Sequence, residues 1–407
     1  MSFVVGVVLF AVALLLSVAW HECGHMWAAQ RTGMKVRRYF VGFGPTLWST
    51  RRGETEYGFK ALPLGGFCDI AGMTPYDEID EADRPRAMYL QKAWKRLVVL
   101  FAGPAQNFIL GFVLVYVLAV GWGLPILNPA PVPAKVASTF CVTPTADAQG
   151  NSVGPCVGAG PAAAAGLRAG DEIVAVDRTP VSSAADLSPI IQKATGPVQL
   201  TVKRDGVVLP QPLTMTPQKV TLTQTKSDGT TEKVTIGRVG LRYPQQQLVN
   251  EYNVATAIPG SIVFTGQLFQ ATWDALLSMP SKIGALWTAV TGGERAVDTP
   301  ISVYGASVLG GQAVERGNWE LFLILLISIN FFLGLFNLVP LLPLDGGHMA
   351  IVGYEKGRNM IRRRMGRTAL GPVDYLKLMP LTYAVVIVLG AFMVLTLTAD
   401  IVNPIKL

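Results

Sequence analysis

Two of the three histidines in this chain stand four residues apart, in the run His21-Glu22-Cys23-Gly24-His25. This is an H-E-x-x-H pattern, and residues four apart share one face of a helix, so both imidazoles can reach one ion. Zinc binds nitrogen ligands at about 2.0–2.1 Å. Glu22 is placed to accept a proton from a metal-bound water, whose pKa zinc lowers to about 7. The pattern predicts a hydrolytic zinc centre, with Cys23 facing away from it.

A catalytic zinc needs a third protein ligand and one open position. The candidate is Asp345, at the end of an apolar segment that contains Pro340 and Pro343. Two prolines so close together remove main-chain donors and unwind a helix, which lets a short carboxylate turn toward the ion. The alternative for Asp345 is a plain turn residue ahead of two glycines. The third histidine, His348, is predicted to support the site or the fold rather than to bind the ion.

Two asparagines precede Asp345 in the same apolar segment. Asn330 and Asn337 are seven residues apart and lie on one helical face. Asn337 is predicted to hydrogen-bond the substrate backbone or the oxyanion that forms during hydrolysis. Asn330 is a second candidate for the same positioning role. The alternative for both is a hydrogen bond between membrane helices, which asparagine commonly makes.

The elements that carry these residues are predicted to be membrane helices. Only 15% of the residues are charged and the mean hydropathy is +0.39, whereas soluble domains carry about 25% charged residues. Four stretches approach the length of about 20 residues that spans a bilayer as a helix, at 3–20, 97–122, 321–344 and 381–397. The alternative for the first is a signal peptide, but no basic residue precedes Arg31.

Basic residues are concentrated in two short segments, 31–96 with twelve and 356–377 with seven. Short basic loops lie on the cytoplasmic side of a membrane. Four spans satisfy this alternation if both termini and the long central segment are outside, which leaves the zinc motif near the cytoplasmic side. In the long segment between the second and third spans, fourteen basic residues are matched by fourteen acidic ones. This distribution argues against a nucleic-acid partner, despite the net charge of +7.

The cytoplasmic segment is predicted to contain a β-hairpin, with strands over 37–49 and 54–61. Both faces of the first strand are apolar or small, which favours a hairpin that enters the membrane over a plain cytosolic one. Its edge is expected to pair with an extended substrate. The apolar residues of 258–290 are predicted to form interfacial helices rather than a fifth span.

The central segment is predicted to form a β-rich domain. The run from Gly160 to Asp177 resembles a PDZ module, with a helix ending at Gly166 and a strand over 173–176. A second helix over 186–193, a strand over 199–204 and an extra hairpin turning at 227–230 are expected to follow. PDZ grooves bind extended peptides or free C-termini; the alternative is a steric filter.

Cys141 and Cys156 fall in this external domain, where a disulfide can persist, and they are predicted to pair. The fold class is therefore a polytopic α-helical membrane protein with about four transmembrane helices, an inserted extracytoplasmic PDZ-like β-rich domain and a cytoplasmic-side membrane-associated β-hairpin. The predicted division is a first transmembrane helix 1–30, a cytoplasmic loop 31–96, a second helix 97–122, the PDZ-like domain 123–245, an interfacial segment 246–320, a broken third transmembrane segment 321–348, a basic loop 349–380, and a fourth helix with its tail 381–407.

Taken together, the motifs resemble the site-2 protease family of intramembrane zinc metalloproteases. The matching pieces are His-Glu-Cys-Gly-His and Asn337-x-x-Pro340-x-x-x-x-Asp345-Gly346, supported by the runs at 42–45, 63–67 and 102–108. The resemblance implies that His21, His25 and Asp345 bind Zn2+ and that Glu22 is the catalytic base.

The resemblance also implies the biological setting. The enzyme would lie in the bacterial plasma (inner) membrane and cleave single-pass transmembrane proteins, such as anti-sigma factors, after an upstream site-1-type protease has made a first external cut. Two alternatives come from other classes: a membrane scaffold or chaperone with a structural metal, and a metal transporter. Glu22 favours the protease, because neither alternative needs a general base beside the ligands.

Overall fold

The computed structural model of the chain describes residues 1–146, 152–153, 156, 158–225 and 231–405. The chain divides into two compact units. One unit consists of Met1–Leu124 together with Glu251–Leu407, and the other consists of Pro125–Asn250. The first unit is mainly helical and the second is rich in β-strands.

The secondary structure of the described residues has the following bounds. The helices are α1 Ser2–Arg31, α2 Ala93–Gly121, α3 Gly160–Ala164, α4 Ala184–Lys193, α5 Ala257–Ser278, α6 Ile283–Val290, α7 Val303–Glu315, α8 Trp319–Asn337, α9 Asp345–Arg364 and α10 Met379–Val402. The strands are β1 Val36–Arg52, β2 Thr55–Ile70, β3 Leu124–Pro125, β4 Ser138–Thr139, β5 Thr145–Ala146, β6 Ser152–Val153, β7 Glu172–Val176, β8 Thr179–Pro180, β9 Val198–Arg204, β10 Val207–Val208, β11 Leu213–Met215, β12 Gln218–Thr225, β13 Thr231–Arg238, β14 Leu241–Arg242 and β15 Val249–Asn250.

Four helical segments in the described part of the chain are long and apolar enough to cross a membrane, which confirms the predicted number of spans. They are Ser2–Arg31, Ala93–Gly121, Trp319–Asn337 and Tyr375–Val402. The third is shorter than the apolar stretch predicted over 321–344. It ends at Asn337 because Pro340 and Pro343 follow, and a proline has no main-chain N–H with which to continue a helix.

Close contact between α1 and α2 depends on small residues, as in many membrane helix pairs. A Cβ on Gly24 of α1 would lie 2.3 Å from the carbonyl oxygen of Ala102 in α2. Helix α8 approaches α2 in the same way, since a Cβ on Gly334 would lie 2.5 Å from the ring of Phe108. The helix that carries the two histidines is thus held tightly against α2.

The hairpin of β1 and β2 folds back on itself. Val41 of β1 pairs with both Phe59 and Gly66, so the first half of β1 lies between two parts of β2. The predicted second strand, 54–61, was too short: β2 continues to Ile70. The strand can bend back because Gly65 has a φ of 137°, a conformation that favours glycine. The hydroxyl of Tyr39 donates to the carbonyl of Ala19, 2.7 Å away, which fixes the hairpin to α1.

The β-rich unit has a sheet in the order β10-β9-β7-β8, with β11 also paired to β9. Leu187 of α4, Ile173 of β7 and Leu200 of β9 are buried in its core. Helix α4 begins at Ala184 with a capping box formed by Ser183 and Asp186. The predicted short helix was two residues too long, since α3 ends at Ala164.

Strands β12 and β13 form the extra hairpin of this unit. Its predicted turn at 227–230 lies outside the described residues. Cys141 and Cys156 are joined by a disulfide, with their Cα atoms 5.9 Å apart.

An ion pair in this unit joins β9 to the turn before β7. The carboxylate of Asp171 is buried and accepts from Arg204 Nε at 2.7 Å and from Arg204 Nη2 at 2.8 Å. It also accepts from the main-chain N–H of Arg168 at 2.8 Å. The hydrogen bonds from the Arg204 guanidinium hold the pKa of the Asp171 carboxyl below its ordinary value.

The substitution Asp171→Asn is expected to destabilise this unit by about 2 kcal/mol, because Arg204 loses a charged acceptor. A carboxyl with a lowered folded-state pKa stabilises above its unfolded-state pKa of about 3.9, and this stability is lost as the pH falls toward the folded-state value. The difference from wild type should therefore be present at pH 6 and smaller at pH 3. Hydrogen exchange over 172–204 in the full-length protein, corrected for intrinsic rates, measures the loss of stability at each of the two pH values.

The control for this measurement is Asp205→Asn, which removes an exposed carboxylate next to Arg204 in sequence. Asparagine tolerates the φ of 50° at this position. Equal exchange in the two variants at pH 6 would contradict the importance of the Asp171 contacts.

Candidate active site

His21 and His25 in α1 meet Asp345, the first residue of α9, at one point. The Nε2 atoms of the two histidines are 3.2 Å apart. One carboxylate oxygen of Asp345, Oδ2, is 3.3 Å from each of them. The two histidines are buried and Asp345 is nearly so, so three polar side chains converge where little water reaches them.

This triangle of donor atoms fits a zinc ion. A tetrahedral zinc with ligands at about 2.0–2.1 Å places those ligands about 3.3 Å from one another. The three atoms match that spacing. Among the described residues, their side chains form the cluster of potential ligands that is close enough together to hold one metal ion. Three protein ligands leave a fourth position open, as a catalytic zinc requires.

Asp345 reaches this point because the chain folds tightly between α8 and α9. A Cβ on Gly346 would lie 2.2 Å from the carbonyl oxygen of Leu338, and a Cβ on Gly347 would lie 2.6 Å from the main chain of Leu341. Both positions need glycine so that the connecting segment can pack against the first turn of α9. The carboxylate also lies at a helix N-terminus, where the helix dipole favours negative charge.

Helix α2 also contacts the site, although the sequence motifs predicted no part for it in binding the ion. His25 Nδ1 is 2.8 Å from the carbonyl oxygen of Val99. A carbonyl only accepts, so Nδ1 carries the proton and Nε2 is free for a metal. The side-chain amide of Asn107 lies 3.1 Å from Nδ1 of His21. Val99 and Asn107 of α2 therefore contact the Nδ1 atoms of the two imidazoles, on the side away from the ion.

Gly103 lies halfway between Val99 and Asn107 on the same face of α2. A Cβ at this position would lie 2.2 Å from Nε2 of His25 and 2.7 Å from Nε2 of His21. Any larger residue would fill the space beside both donor atoms. In the sequence, Gly103 and Asn107 lie in the run 102–108 that supports the family resemblance, and together with Val99 they are spaced at intervals of four.

A cavity of about 340 Å³ opens beside the donor atoms. Glu22, Asn107 and Asn337 line it from three helices, and Phe67 and Cys68 line it from β2. The hairpin approaches Glu22 closely, since a Cβ on Gly66 would lie 3.5 Å from Glu22 Cγ. The cavity thus brings a carboxylate, two amides and a strand next to the donor triangle.

The two asparagines of α8 have different surroundings. Asn337 lines the cavity, whereas Asn330 is fully buried and donates from Nδ2 to Ser17 Oγ, 3.1 Å away in α1. Asn330 is not among the residues that line the cavity in the described chain. Its contact joins two membrane helices, which is the alternative to a substrate role.

His348 lies outside the donor triangle. Its ring stacks on Tyr375, with centroids 5.7 Å apart, and its Nδ1 is 3.4 Å from the Tyr375 hydroxyl. This contact connects α9 to the segment before α10, so His348 has a supporting contact in the fold.

Comparisons with known proteins place the chain in a family. Residues 9–381 match Peptidase family M50. The chain is 54% identical over 411 residues to the zinc metalloprotease Rip1 of Mycolicibacterium smegmatis, with all of both chains covered. It is 50% identical to Rip1 of Mycobacterium tuberculosis over the same length and coverage. The metalloprotease MmpA of Caulobacter vibrioides is 28% identical over 380 residues, which are 85% of each chain.

These similarities confirm the resemblance inferred from the motifs, and with it the zinc cofactor and the peptidase activity. They favour neither the scaffold nor the transporter. The two Rip1 proteins are at least 50% identical to this chain along its whole length, and the chain has four helices that are long and apolar enough to cross a membrane. The chain belongs to peptidase family M50, the site-2 proteases, and is a zinc metalloprotease that acts within the membrane.

Proposed function

We propose that His21, His25 and Asp345 hold the zinc ion and that Glu22 is the base that drives peptide-bond hydrolysis. The observation that carries this proposal is the triangle of donor atoms, 3.2–3.3 Å on each side, in the same cavity as the Glu22 carboxylate. When bound, zinc supplies Lewis-acid chemistry, since it polarises a carbonyl and acidifies water.

The side chains around the ion would transfer the proton, bind the substrate and orient the ligands. The Glu22 carboxylate takes a proton from the attacking water and gives it to the nitrogen of the leaving amine, so that one proton is moved and none is lost. Asn337, on the cavity wall, donates its amide N–H groups to the substrate carbonyl or main chain. His25 is held by Val99 with its Nε2 toward the ion.

The substrate must be extended at the cleaved bond, because a helix hides its peptide groups in internal hydrogen bonds. In the described register, the segment 62–70 of β2 pairs with β1 along one side only. Phe67 and Cys68 of this segment line the cavity next to Glu22. We infer that an unwound stretch of the substrate adds to the free side as a further strand.

We also propose a topology for the two units. The basic segments 31–96 and 356–377 lie on the cytoplasmic side, and Pro125–Asn250 lies outside. Charge alternation and the disulfide between Cys141 and Cys156 support this arrangement, because disulfides persist in oxidising compartments. The membrane would then be a bacterial plasma (inner) membrane, with the active site toward the cytoplasm.

The β-rich unit is proposed to be PDZ-like. A groove of about 480 Å³ lies between α4, which contributes Ser188 and Ile191, and the chain around Val239, Leu241 and Tyr243. A groove between a helix and a strand edge suits an added peptide strand. The unit would bind a peptide end or exclude bulky substrates, so that single-pass proteins such as anti-sigma factors are cut only after a first external cleavage.

The substitution Glu22→Gln is expected to lower cleavage of a reporter transmembrane segment by roughly 10²–10⁴-fold, because an amide cannot take the proton. Zinc content should stay unchanged, since the three ligand atoms remain. Glu251→Gln, which alters an exposed carboxylate, is the matched control and should cleave like wild type. Full cleavage by zinc-loaded Glu22→Gln protein would refute the assigned role.

Gly103→Ala is expected to weaken zinc binding by roughly 10–100-fold, the range for residues that support metal ligands. The physical reason is the collision of the added Cβ with Nε2 of His25 at 2.2 Å. Gly121→Ala in the same helix meets nothing within 4 Å and should bind zinc normally. The zinc content of each variant after dialysis against a chelator tests this expectation. Normal zinc retention by Gly103→Ala would disprove the close packing of Gly103 against His25.

Labelling of an introduced cysteine, compared with the parent protein that already carries the free thiols of Cys23 and Cys68, tests the topology. Asp205→Cys and Arg364→Cys place a thiol at exposed positions in the β-rich unit and at the end of α9. In right-side-out membrane vesicles, an impermeant maleimide should label Asp205→Cys at once and Arg364→Cys only after detergent is added. The reverse pattern would overturn the proposed orientation without affecting the assignment of the zinc ligands.

A further inference from the structure

The side chain of Asn107 has an unusual environment for a membrane helix. It is 1% exposed, and its Nδ2 lies 3.1 Å from Nδ1 of His21. Its Oδ1 is buried and has no hydrogen-bond partner among the residues that the structure describes. An amide has nearly the same shape when it is turned by half a rotation, which exchanges the oxygen and the nitrogen.

The chemistry of His21 decides between these two orientations. A neutral imidazole that binds a cation through Nε2 carries its proton on Nδ1. The group facing Nδ1 must then accept a hydrogen bond, and an amide NH2 group cannot accept. If Nδ2 of Asn107 faced the ring, the proton of His21 would be forced onto Nε2, where the ion binds. Only the orientation with Oδ1 toward His21 is compatible with metal binding.

The second histidine shows the same requirement met by the main chain. Nδ1 of His25 faces the carbonyl oxygen of Val99 at 2.8 Å, and this atom can only accept. Val99 and Asn107 are eight residues apart, about two turns along one face of α2. Helix α2 therefore offers one acceptor to each ring, and the two Nε2 atoms turn toward one point, 3.2 Å apart.

We propose that Asn107 is a positioning residue for the metal ligand His21. Its Oδ1 accepts the Nδ1–H of His21, which fixes both the tautomer and the orientation of the ring. Such outer partners change metal affinity by roughly 10–100-fold. The proposal rests on His21 being a zinc ligand, as set out under the proposed function. Asn107 would therefore orient His21 through this hydrogen bond, in addition to any contribution to the packing of α2 against α1.

The test measures zinc affinity in full-length protein in detergent, by competition with a chromogenic chelator. Asn107→Leu removes the acceptor at similar volume and is expected to weaken zinc binding roughly 10–100-fold. Asn107→Asp keeps an oxygen at the same place and has no N–H, so it should bind zinc at least as tightly as wild type. Gln106→Leu removes an amide one residue away that faces a different cavity, and it should have no effect.

Two outcomes would overturn the proposal. The first is wild-type zinc affinity in Asn107→Leu. The second is an equal loss in Asn107→Leu and Asn107→Asp, because the amide N–H donor is the feature that both variants lack. His21→Leu in the same titration separates this failure from a failure of the ligand assignment, since a residue that does not bind zinc would leave the affinity unchanged when replaced.

A further measurement distinguishes positioning from folding. With zinc in large excess, Asn107→Leu should regain the zinc content of wild type, because His21, His25 and Asp345 remain in place. Zinc content that stays below that of wild type at saturating zinc would assign Asn107 to the fold instead, and would contradict the proposal.

Discussion

The structure of the helical unit depends on three donor atoms that meet 3.2–3.3 Å apart in a site with little access to water. Polar side chains at membrane depth are costly unless they are paired or bind a ligand. A single cation satisfies all three at once, and their spacing is that of a tetrahedral zinc. The tight contacts at Gly24, Gly103 and Gly346 are the packing features that permit this convergence.

Hydrolysis inside a bilayer needs water, a base and an extended substrate in one place. The cavity provides room for water beside Glu22, and the free side of the segment 62–70 provides a main-chain edge next to it. The hairpin is tied to α1 through the hydrogen bond from Tyr39 to Ala19. The edge that would straighten a substrate is therefore fixed to the same helix as the histidines and Glu22.

The β-rich unit is stabilised by its own interactions. Its core lies between α4 and the sheet, the pair of Asp171 and Arg204 joins β9 to the turn before β7, and a disulfide joins Cys141 to Cys156. The residues proposed for the chemistry lie in the helical unit, so the proposed role of the β-rich unit in selecting substrates needs no residue of its own at the site.

The sequence by itself determined the features that arise within one segment. Length and apolar content gave the four spans, spacing by four placed His21 and His25 on one helical face, and two prolines marked the break before Asp345. The tertiary structure decided which faces meet. Asn330 and Asn337 share a face, but only Asn337 reaches the cavity, and the parts played by Gly103 and Asn107 follow from α2 packing against α1. Local patterns reflect sterics and hydrogen bonds between near neighbours, whereas these contacts join residues far apart in sequence and are set by how whole helices pack.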